Sequence, residues 1–108
     1  MLDADAIYRK VEQAGLDWAD KKAAFELLDD MTSTVKADLT TDFYVTCTSK
    51  AEAEQRALAS ARYKEHIAEL SAARRAWLTS EVRYKSSQLL ADLRRSEEST
   101  RRAEASIR

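Results

Sequence analysis

Apolar residues recur at helical spacing from the start of the chain. Four of them, at intervals of four, three and four residues, are Ile7, Val11, Ala14 and Trp18. This spacing places them on one face of an opening helix. Gly15 stands where a left-handed residue would end that helix, and Asp17 is a suitable N-cap for the next one. We therefore predict a first helix over residues 4–14, followed by a break at 15–17.

A second set of apolar positions holds one helical face for about four turns. Its members are Phe25, Leu28, Met31, Val35 and Leu39. Residues 40–48 are rich in threonine, valine and aromatic side chains, which favour extended backbone. A lone strand there would have nothing to pair with. The pattern therefore predicts a second helix over residues 17–45 that ends in a loop near 45–49.

A capping box marks the start of a third helix. Ser49 is followed three residues later by Glu52, whose carboxylate can reach back to the Ser49 amide. The following residues are mostly strong helix formers. We predict a helix over residues 50–104, about 80 Å long at 1.5 Å per residue. Ser60 is a possible second N-cap, which leaves open a separate short helix over residues 50–59.

Two apolar stripes run along this last helix. One repeats every eleven residues through Ile67, Leu78 and Leu89, with Ser71, Val82 and Leu93 beside them. Eleven residues make almost three whole turns, so this stripe stays nearly straight. The other repeats every seven residues through Tyr63, Leu70, Trp77 and Tyr84. Two stripes imply two packing partners. One is the second helix, and the other is the opening helix or a second copy of the chain.

Helix lengths favour a second copy. A second helix of about 28 residues spans about 42 Å, so we expect about half of the last helix to lack an intrachain neighbour. Exposed leucines in that half would form an interface, most simply in a symmetric dimer. The predicted interface residues are Leu78, Val82, Leu89, Leu90 and Leu93. The predicted fold class is all-α: an elongated antiparallel helical hairpin, a single domain over residues 1–108, with a short N-terminal helix, a very long C-terminal helix and an oligomeric state.

Composition agrees with this helical prediction. From Leu16 to Arg108, 93 consecutive residues include neither glycine nor proline. Charge is divided between the two halves of the chain. Residues 1–54 hold 6 basic and 12 acidic side chains, whereas residues 55–108 hold 12 basic and 7 acidic ones. Either an acidic helix pairs with a basic one in the same molecule, or part of the basic half meets an acidic partner such as nucleic acid.

The sequence lacks the residue patterns that mark several classes of function. Gly15 is the only glycine, so no glycine-rich phosphate loop exists and the chain is predicted not to be an enzyme. His66 is expected to be a solvated surface residue, because no second histidine or cysteine cluster would complete a metal site with it. Cys47 is expected to be a small buried residue, although a reactive thiol stays open. We predict no cofactor, no metal and no membrane span. The single cysteine and the lack of a leader sequence favour the cytoplasm.

Basic and aromatic residues alternate over residues 74–95. The candidate nucleic-acid-binding residues are Arg74, Arg75, Trp77, Arg83, Tyr84, Lys85, Arg94 and Arg95. Arginine and lysine bind phosphates, and aromatic rings stack on unpaired bases, as in proteins that bind single strands. The two aromatic residues also lie on the seven-residue stripe, so a role in helix packing is the alternative.

The last half of the chain resembles small helical proteins of tailed phages and prophages. The resemblance rests on residues 57–70, on Ala73-Arg-Arg-Ala-Trp77, on Val82-Arg-Tyr84, and on the segments 93–98 and 101–104. It implies a phage or prophage origin and a place in the cytoplasm of an infected or lysogenic bacterial cell. In helix order and in the basic stretch ending at Val82-Arg83-Tyr84, the chain is also similar to UvsY-type recombination mediators of T-even phages. That likeness implies an oligomer that binds single-stranded DNA and helps to load a recombinase.

Two functions follow as hypotheses. The first is a non-enzymatic phage or prophage accessory protein in DNA recombination or replication. It would bind single-stranded DNA, a DNA-processing protein, or both, through the long basic C-terminal helix. The alternative is a protein-only adaptor or inhibitor that docks a helical face on a host or phage protein, with the acidic first half and the leucines carrying the binding.

Overall fold

The computed structural model describes residues 3–107, which form three α-helices. They are α1 (Ala4–Tyr44, 41 residues), α2 (Lys50–Ala59, 10 residues) and α3 (Ala61–Ile107, 47 residues). No strand occurs within this range. The predicted all-α class is confirmed, as is an antiparallel helical hairpin with a long C-terminal helix.

Helix α1 runs without interruption through the predicted break. Asp3 caps its start, since the Asp3 Oδ1 atom accepts a hydrogen bond from the Ala6 amide at 2.7 Å. Gly15 has no positive φ and lies inside the helix. The predicted division into helices over 4–14 and 17–45 is therefore wrong. Gly15 meets a packing requirement instead of ending the helix, because a Cβ atom there would lie 3.0 Å from the Tyr84 ring.

The end of α1 agrees with the sequence prediction. Threonine hydroxyls in its last turns donate to carbonyls four residues earlier, as Thr40 does to Lys36 at 2.7 Å and Thr41 to Ala37 at 3.0 Å. These bonds give the threonine hydroxyls partners within the helix. The helix ends at Tyr44, and a turn and bend over residues 45–49 lead to α2.

The capping box at the start of α2 is present in a modified form. Ser49 accepts the Glu52 amide through its Oγ atom at 3.2 Å, as predicted. The Glu52 carboxylate reaches Thr48 and not Ser49: the same oxygen accepts the Thr48 hydroxyl at 2.9 Å and the Thr48 amide at 3.3 Å. These two bonds, with a smaller contribution from Arg56, lower the pKa of Glu52.

Ser60 separates α2 from α3, which is the alternative that the sequence left open. Its backbone is extended, with φ −70° and ψ 151°. The Ser60 hydroxyl donates to the Ala57 carbonyl at 2.6 Å, and its oxygen accepts the Tyr63 amide at 3.2 Å. One side chain thus serves both the last turn of α2 and the first turn of α3. The predicted single helix over residues 50–104 is corrected accordingly.

The chain divides into two units. Among the described residues, unit 1 combines residues 3–20 with residues 78–107, and unit 2 is Lys21–Trp77. In unit 1, Trp18 and Gly15 lie against Tyr84, and the rings of Trp18 and Tyr84 are 5.8 Å apart between centroids. Nearer the start of α1, Ile7 and Ala91 line one shallow cleft. The two helix segments of unit 1 are therefore antiparallel.

Unit 2 shows the same antiparallel order by itself. The Phe25 and Trp77 rings stack at 5.2 Å with 17° between their planes. Further along α1, the Thr32 hydroxyl forms a hydrogen bond of 2.9 Å with the His66 ring. On α2, Ala53 and Ala57 have no exposed surface. Aromatic, polar and small residues together form the core of this unit.

Buried and half-buried positions on α1 repeat at alternating steps of four and three residues. One such series is Ile7, Val11, Ala14 and Trp18 in unit 1, and Phe25, Leu28, Thr32, Val35 and Leu39 in unit 2. Most of the predicted apolar positions are correct, but Met31 is exposed and Thr32 takes the inward place. This is the heptad spacing of coiled coils.

The expectation that half of α3 lacks an intrachain neighbour is not met. In unit 1 a cleft between α1 and α3 is lined by Ala4 and Ile7 on one side and by Ala91, Arg94 and Glu98 on the other. Helix α3 therefore has α1 beside it as far as Glu98. The reason is the missing break, because the first part of α1 is helical from Ala4 onward and covers a segment of α3 that a shorter helix would leave bare.

Candidate functional site

Helix α3 has an inner and an outer face in unit 1. The inner face holds Ser80, Tyr84, Ser87 and Ala91, all buried or half-buried. The outer face, defined by Leu78, Val82, Leu89 and Leu93, falls within an arc of about 60° at 3.6 residues per turn. It is centred about half a turn away from the inner face. One side of α3 therefore packs within the chain, while the other presents large apolar side chains to solvent.

The outer face is exposed along its whole length. The exposed fractions are 45% for Leu78, 65% for Val82, 62% for Leu89 and 55% for Leu93. Leu90, which lies about 60° beyond this arc, is 53% exposed. These are the five residues that the sequence proposed as an oligomer interface, and all of them lie in unit 1. The four residues of the outer face are exposed because they point away from α1, not because α1 is too short to reach them.

The candidate nucleic-acid residues of unit 2 are used partly for internal packing. The Trp77 ring stacks on Phe25, which is buried. The Arg74 guanidinium carbon lies 5.2 Å from the centroid of the same Phe25 ring, a cation–π arrangement. Arg75 is exposed, and no ion pair involves it within residues 3–107. The structure thus places Trp77 in the packing role that the sequence left as an alternative.

The corresponding residues of unit 1 divide in the same way. Tyr84 is half-buried against Trp18 and Gly15. Three of the basic residues form ion pairs within α3: Lys85 with Glu81 at 3.6 Å, Arg94 with Glu97 at 3.7 Å and Arg95 with Asp92 at 3.9 Å. Arg83 is exposed and forms no ion pair in the described part of the chain. Its charge is therefore available to an anionic partner.

His66 differs most from its sequence expectation. It is only 2% exposed, so the prediction of a solvated surface residue is wrong. The Thr32 hydroxyl lies 3.2 Å from the Leu28 carbonyl, to which it donates, and its oxygen lies 2.9 Å from His66 Nε2 in a second hydrogen bond. The signal available in the sequence was spacing, because His66 lies midway between Tyr63 and Leu70 on the seven-residue stripe.

The structure offers few other chemical centres. Cys47 is a free, half-buried thiol in the loop before α2. Among the residues that the structure describes, no three histidine, cysteine, aspartate or glutamate side chains come together as a metal site. None of the helices within residues 3–107 combines the length and apolar character needed to cross a bilayer. Within residues 3–107, the outer face of α3 is therefore the strongest candidate for a functional surface.

Comparison with known proteins adds no assignment, since no protein-family model, curated protein or solved structure matches the chain.

Proposed function

We propose that this chain is a non-enzymatic protein-interaction module that binds a helical surface of another protein chain through the outer face of α3. The observation that supports this proposal is the row of four exposed apolar side chains on the side of α3 opposite α1. An apolar helix face left in water favours a partner that covers it. Helical partners suit such a stripe, because side chains repeating along one helix can pack between those of another.

Charged substitutions on the outer face test the proposal. The double variant Val82→Glu/Leu89→Glu places two charges on that face, and both positions are more than half exposed, so the fold can accommodate them. Leu27→Glu is the matched control, because Leu27 is a leucine of the same 62% exposure on α1. Proteins are captured on each immobilised variant from a nuclease-treated lysate of the cells that produce the chain.

We expect wild type and Leu27→Glu to retain the same partners, and Val82→Glu/Leu89→Glu to lose them, while all three keep the same helical circular dichroism spectrum. A partner set that is unchanged by the double variant would contradict the role of the outer face. So would equal loss from the Leu27→Glu control.

Single-stranded DNA binding is the second candidate, in line with an accessory role in phage recombination or replication. Exposed Arg75 and Arg83, which form no ion pair within the described residues, favour it. The stacking part of the hypothesis has less support, because Trp77 and Tyr84 already contact rings of α1. Binding would then depend mainly on phosphate contacts and would fall steeply with salt.

Fluorescence anisotropy with an unstructured oligonucleotide at low salt tests this second candidate. We expect Arg75→Ala and Arg83→Ala each to weaken binding, and Lys36→Ala, a basic residue on the acidic half, to leave it unchanged. Absence of binding at about 100 μM protein, which is the weak end of the usual range for non-specific complexes at physiological salt, would refute DNA binding at low salt.

A further inference from the structure

The intervals between the apolar residues of the outer face of α3 read the same in both chain directions. Its apolar residues Leu78, Val82, Leu89 and Leu93 are separated by four, seven and four positions. The intervals are thus symmetric about a point between Lys85 and Ser86. A symmetric dimer uses the same patch on both subunits, so the patch must be complementary to itself under a twofold rotation. A row with palindromic spacing meets this condition for two antiparallel helices.

We propose that the partner of the outer face is a second copy of this chain, paired through antiparallel α3 helices about a twofold axis near residues 85 and 86. In this arrangement Leu78 lies opposite the partner's Leu93, and Val82 opposite the partner's Leu89. The contact extends over 16 residues, from 78 to 93, or about 22 Å of helix. This inference rests on the proposed function, since it names the occupant of the same face.

Charge on this segment suits a copy of the same chain. Between residues 78 and 93 there are two acidic and two basic side chains, Glu81, Asp92, Arg83 and Lys85. Lys85 lies nearest the proposed axis, and its charge is offset by Glu81, whose carboxylate is 3.6 Å away. The pairing of two such segments therefore brings together surfaces without net charge. A polyanion or a strongly acidic protein would gain little attraction from the same segment.

The extent of the face indicates a reversible dimer. Each copy contributes four apolar side chains over about four helical turns, which places the contact at the low end of interface sizes, below about 1,200 Å². An obligate dimer usually buries more than about 2,000 Å². We therefore expect a dimer that forms and dissociates with concentration, and one that salt does not weaken, because apolar contact is not screened.

Sedimentation equilibrium of the full chain, over a range from about 1 to about 500 μM, tests the pairing across the range expected for a small interface. Wild type is expected to shift from monomer to dimer. Leu89→Ala shortens an interface side chain in both subunits of the dimer. It is expected to weaken association at least about tenfold, as truncation of a residue at the centre of an interface does. Val82→Glu/Leu89→Glu is expected to stay monomeric, and Leu27→Glu to dimerise like wild type.

Disulfide trapping tests the orientation. In a Cys47→Ser background, which removes the only native thiol, single variants Leu78→Cys and Leu93→Cys are prepared separately. The antiparallel arrangement predicts rapid oxidation to a disulfide dimer when the two variants are mixed, and slow oxidation of either variant alone. Fast cross-linking of Leu78→Cys alone would indicate parallel helices and would overturn the proposed geometry.

Two results would overturn self-pairing. One is a monomer at every concentration, and the other is a dimer that Val82→Glu/Leu89→Glu leaves intact or that Leu27→Glu disrupts equally. Failure of self-pairing is distinct from failure of the proposed function. If the chain stays monomeric but still captures partners in a manner that depends on the outer face, the docking role stands and only the identity of the partner is wrong.

Discussion

Gly15 shows how one residue can serve packing at the expense of helix propensity. Glycine inside a helix costs about 1 kcal/mol relative to alanine. A Cβ atom at this position would lie 3.0 and 3.1 Å from two ring carbons of Tyr84. Both distances are shorter than ordinary van der Waals contact, so the ring must move away from α1 to admit a methyl group. The glycine therefore allows the tyrosine ring to lie close against the helix.

This geometry predicts strong coupling between positions 15 and 84. Gly15→Ala in the wild-type chain is expected to give no gain in stability, because the clash with Tyr84 offsets the better helix propensity. In a Tyr84→Ala background the same change is expected to stabilise by about 1 kcal/mol. Urea unfolding of the four proteins measures the coupling as a double-mutant cycle. Equal effects in both backgrounds would show that the ring does not restrict position 15.

The buried pair of Thr32 and His66 gives a second prediction at this scale. Thr32→Val removes the hydroxyl that is hydrogen-bonded to His66 Nε2, and it leaves a buried ring nitrogen without that partner. We expect a loss of about 1–3 kcal/mol in the free energy of unfolding. Thr32→Val/His66→Leu removes both polar groups and is expected to regain most of this loss. Chemical denaturation measures both variants, and a double variant weaker than Thr32→Val alone would contradict the account.

At the scale of the element, the N-terminus of α2 depends on a charged Glu52. The hydrogen bonds from Thr48 lower the pKa of this carboxyl, so the charged form is favoured in the folded chain. A group with a depressed folded pKa contributes stability that is present above its unfolded pKa. That contribution is lost as pH falls through the folded pKa.

Thr48→Ala is therefore expected to raise the pKa of Glu52 towards its ordinary value, but not fully, because the amide bond from residue 48 remains. The stability difference between this variant and wild type is expected at neutral pH and to vanish once Glu52 is protonated. A carboxyl titration by NMR measures the pKa directly. Thr46→Ala is the control, since the Thr46 hydroxyl bonds to the Phe43 carbonyl instead. An unchanged Glu52 pKa in Thr48→Ala would refute the mechanism.

Helix type and most inward positions could be predicted from the sequence, because apolar spacing and helix propensity are local signals. The predicted break at Gly15 was wrong because this glycine makes room for the ring of Tyr84. Tyr84 is distant in the chain, so local sequence signals do not show the contact. The continuity of α1 had a signal in the seven-residue interval from Trp18 to Phe25, which keeps both apolar sets in one heptad frame. The prediction for His66 was wrong because it rested on the lack of further metal ligands and did not use the position of this residue on the stripe.

The candidate site was predictable to a similar degree. Residues of the eleven-residue stripe are exposed and those of the seven-residue stripe are half-buried, but spacing alone did not say which stripe would be covered. The packing of aromatic rings decides this. Phe25 and Trp18 give Trp77 and Tyr84 their partners, so the seven-residue stripe faces inward and the leucines face outward.

At the scale of the whole molecule, little apolar surface is fully buried. Among residues 3–107 the buried apolar side chains are Ile7, Phe25, Val35, Ala53, Ala57 and Ala91, and three of these are alanine. None of the larger ones is completely shielded from solvent. Because burial of apolar surface is the main favourable term in folding, the isolated chain is expected to have modest stability. Any contact that covers the outer face then contributes an appreciable share of the total stability.

A dimer formed by the outer face must therefore raise the melting temperature with protein concentration. A partner that binds only the folded chain stabilises it by mass action, by about 1 kcal/mol more at tenfold above the dissociation constant than at that constant. For a domain of this size, about 1 kcal/mol corresponds to roughly 4–8 °C. Wild type is expected to show this rise in circular dichroism melts, and Leu27→Glu to show it equally. Val82→Glu/Leu89→Glu is expected to melt at one temperature throughout. A wild-type melting temperature independent of concentration across the dimerisation range would mean that pairing does not favour the folded chain.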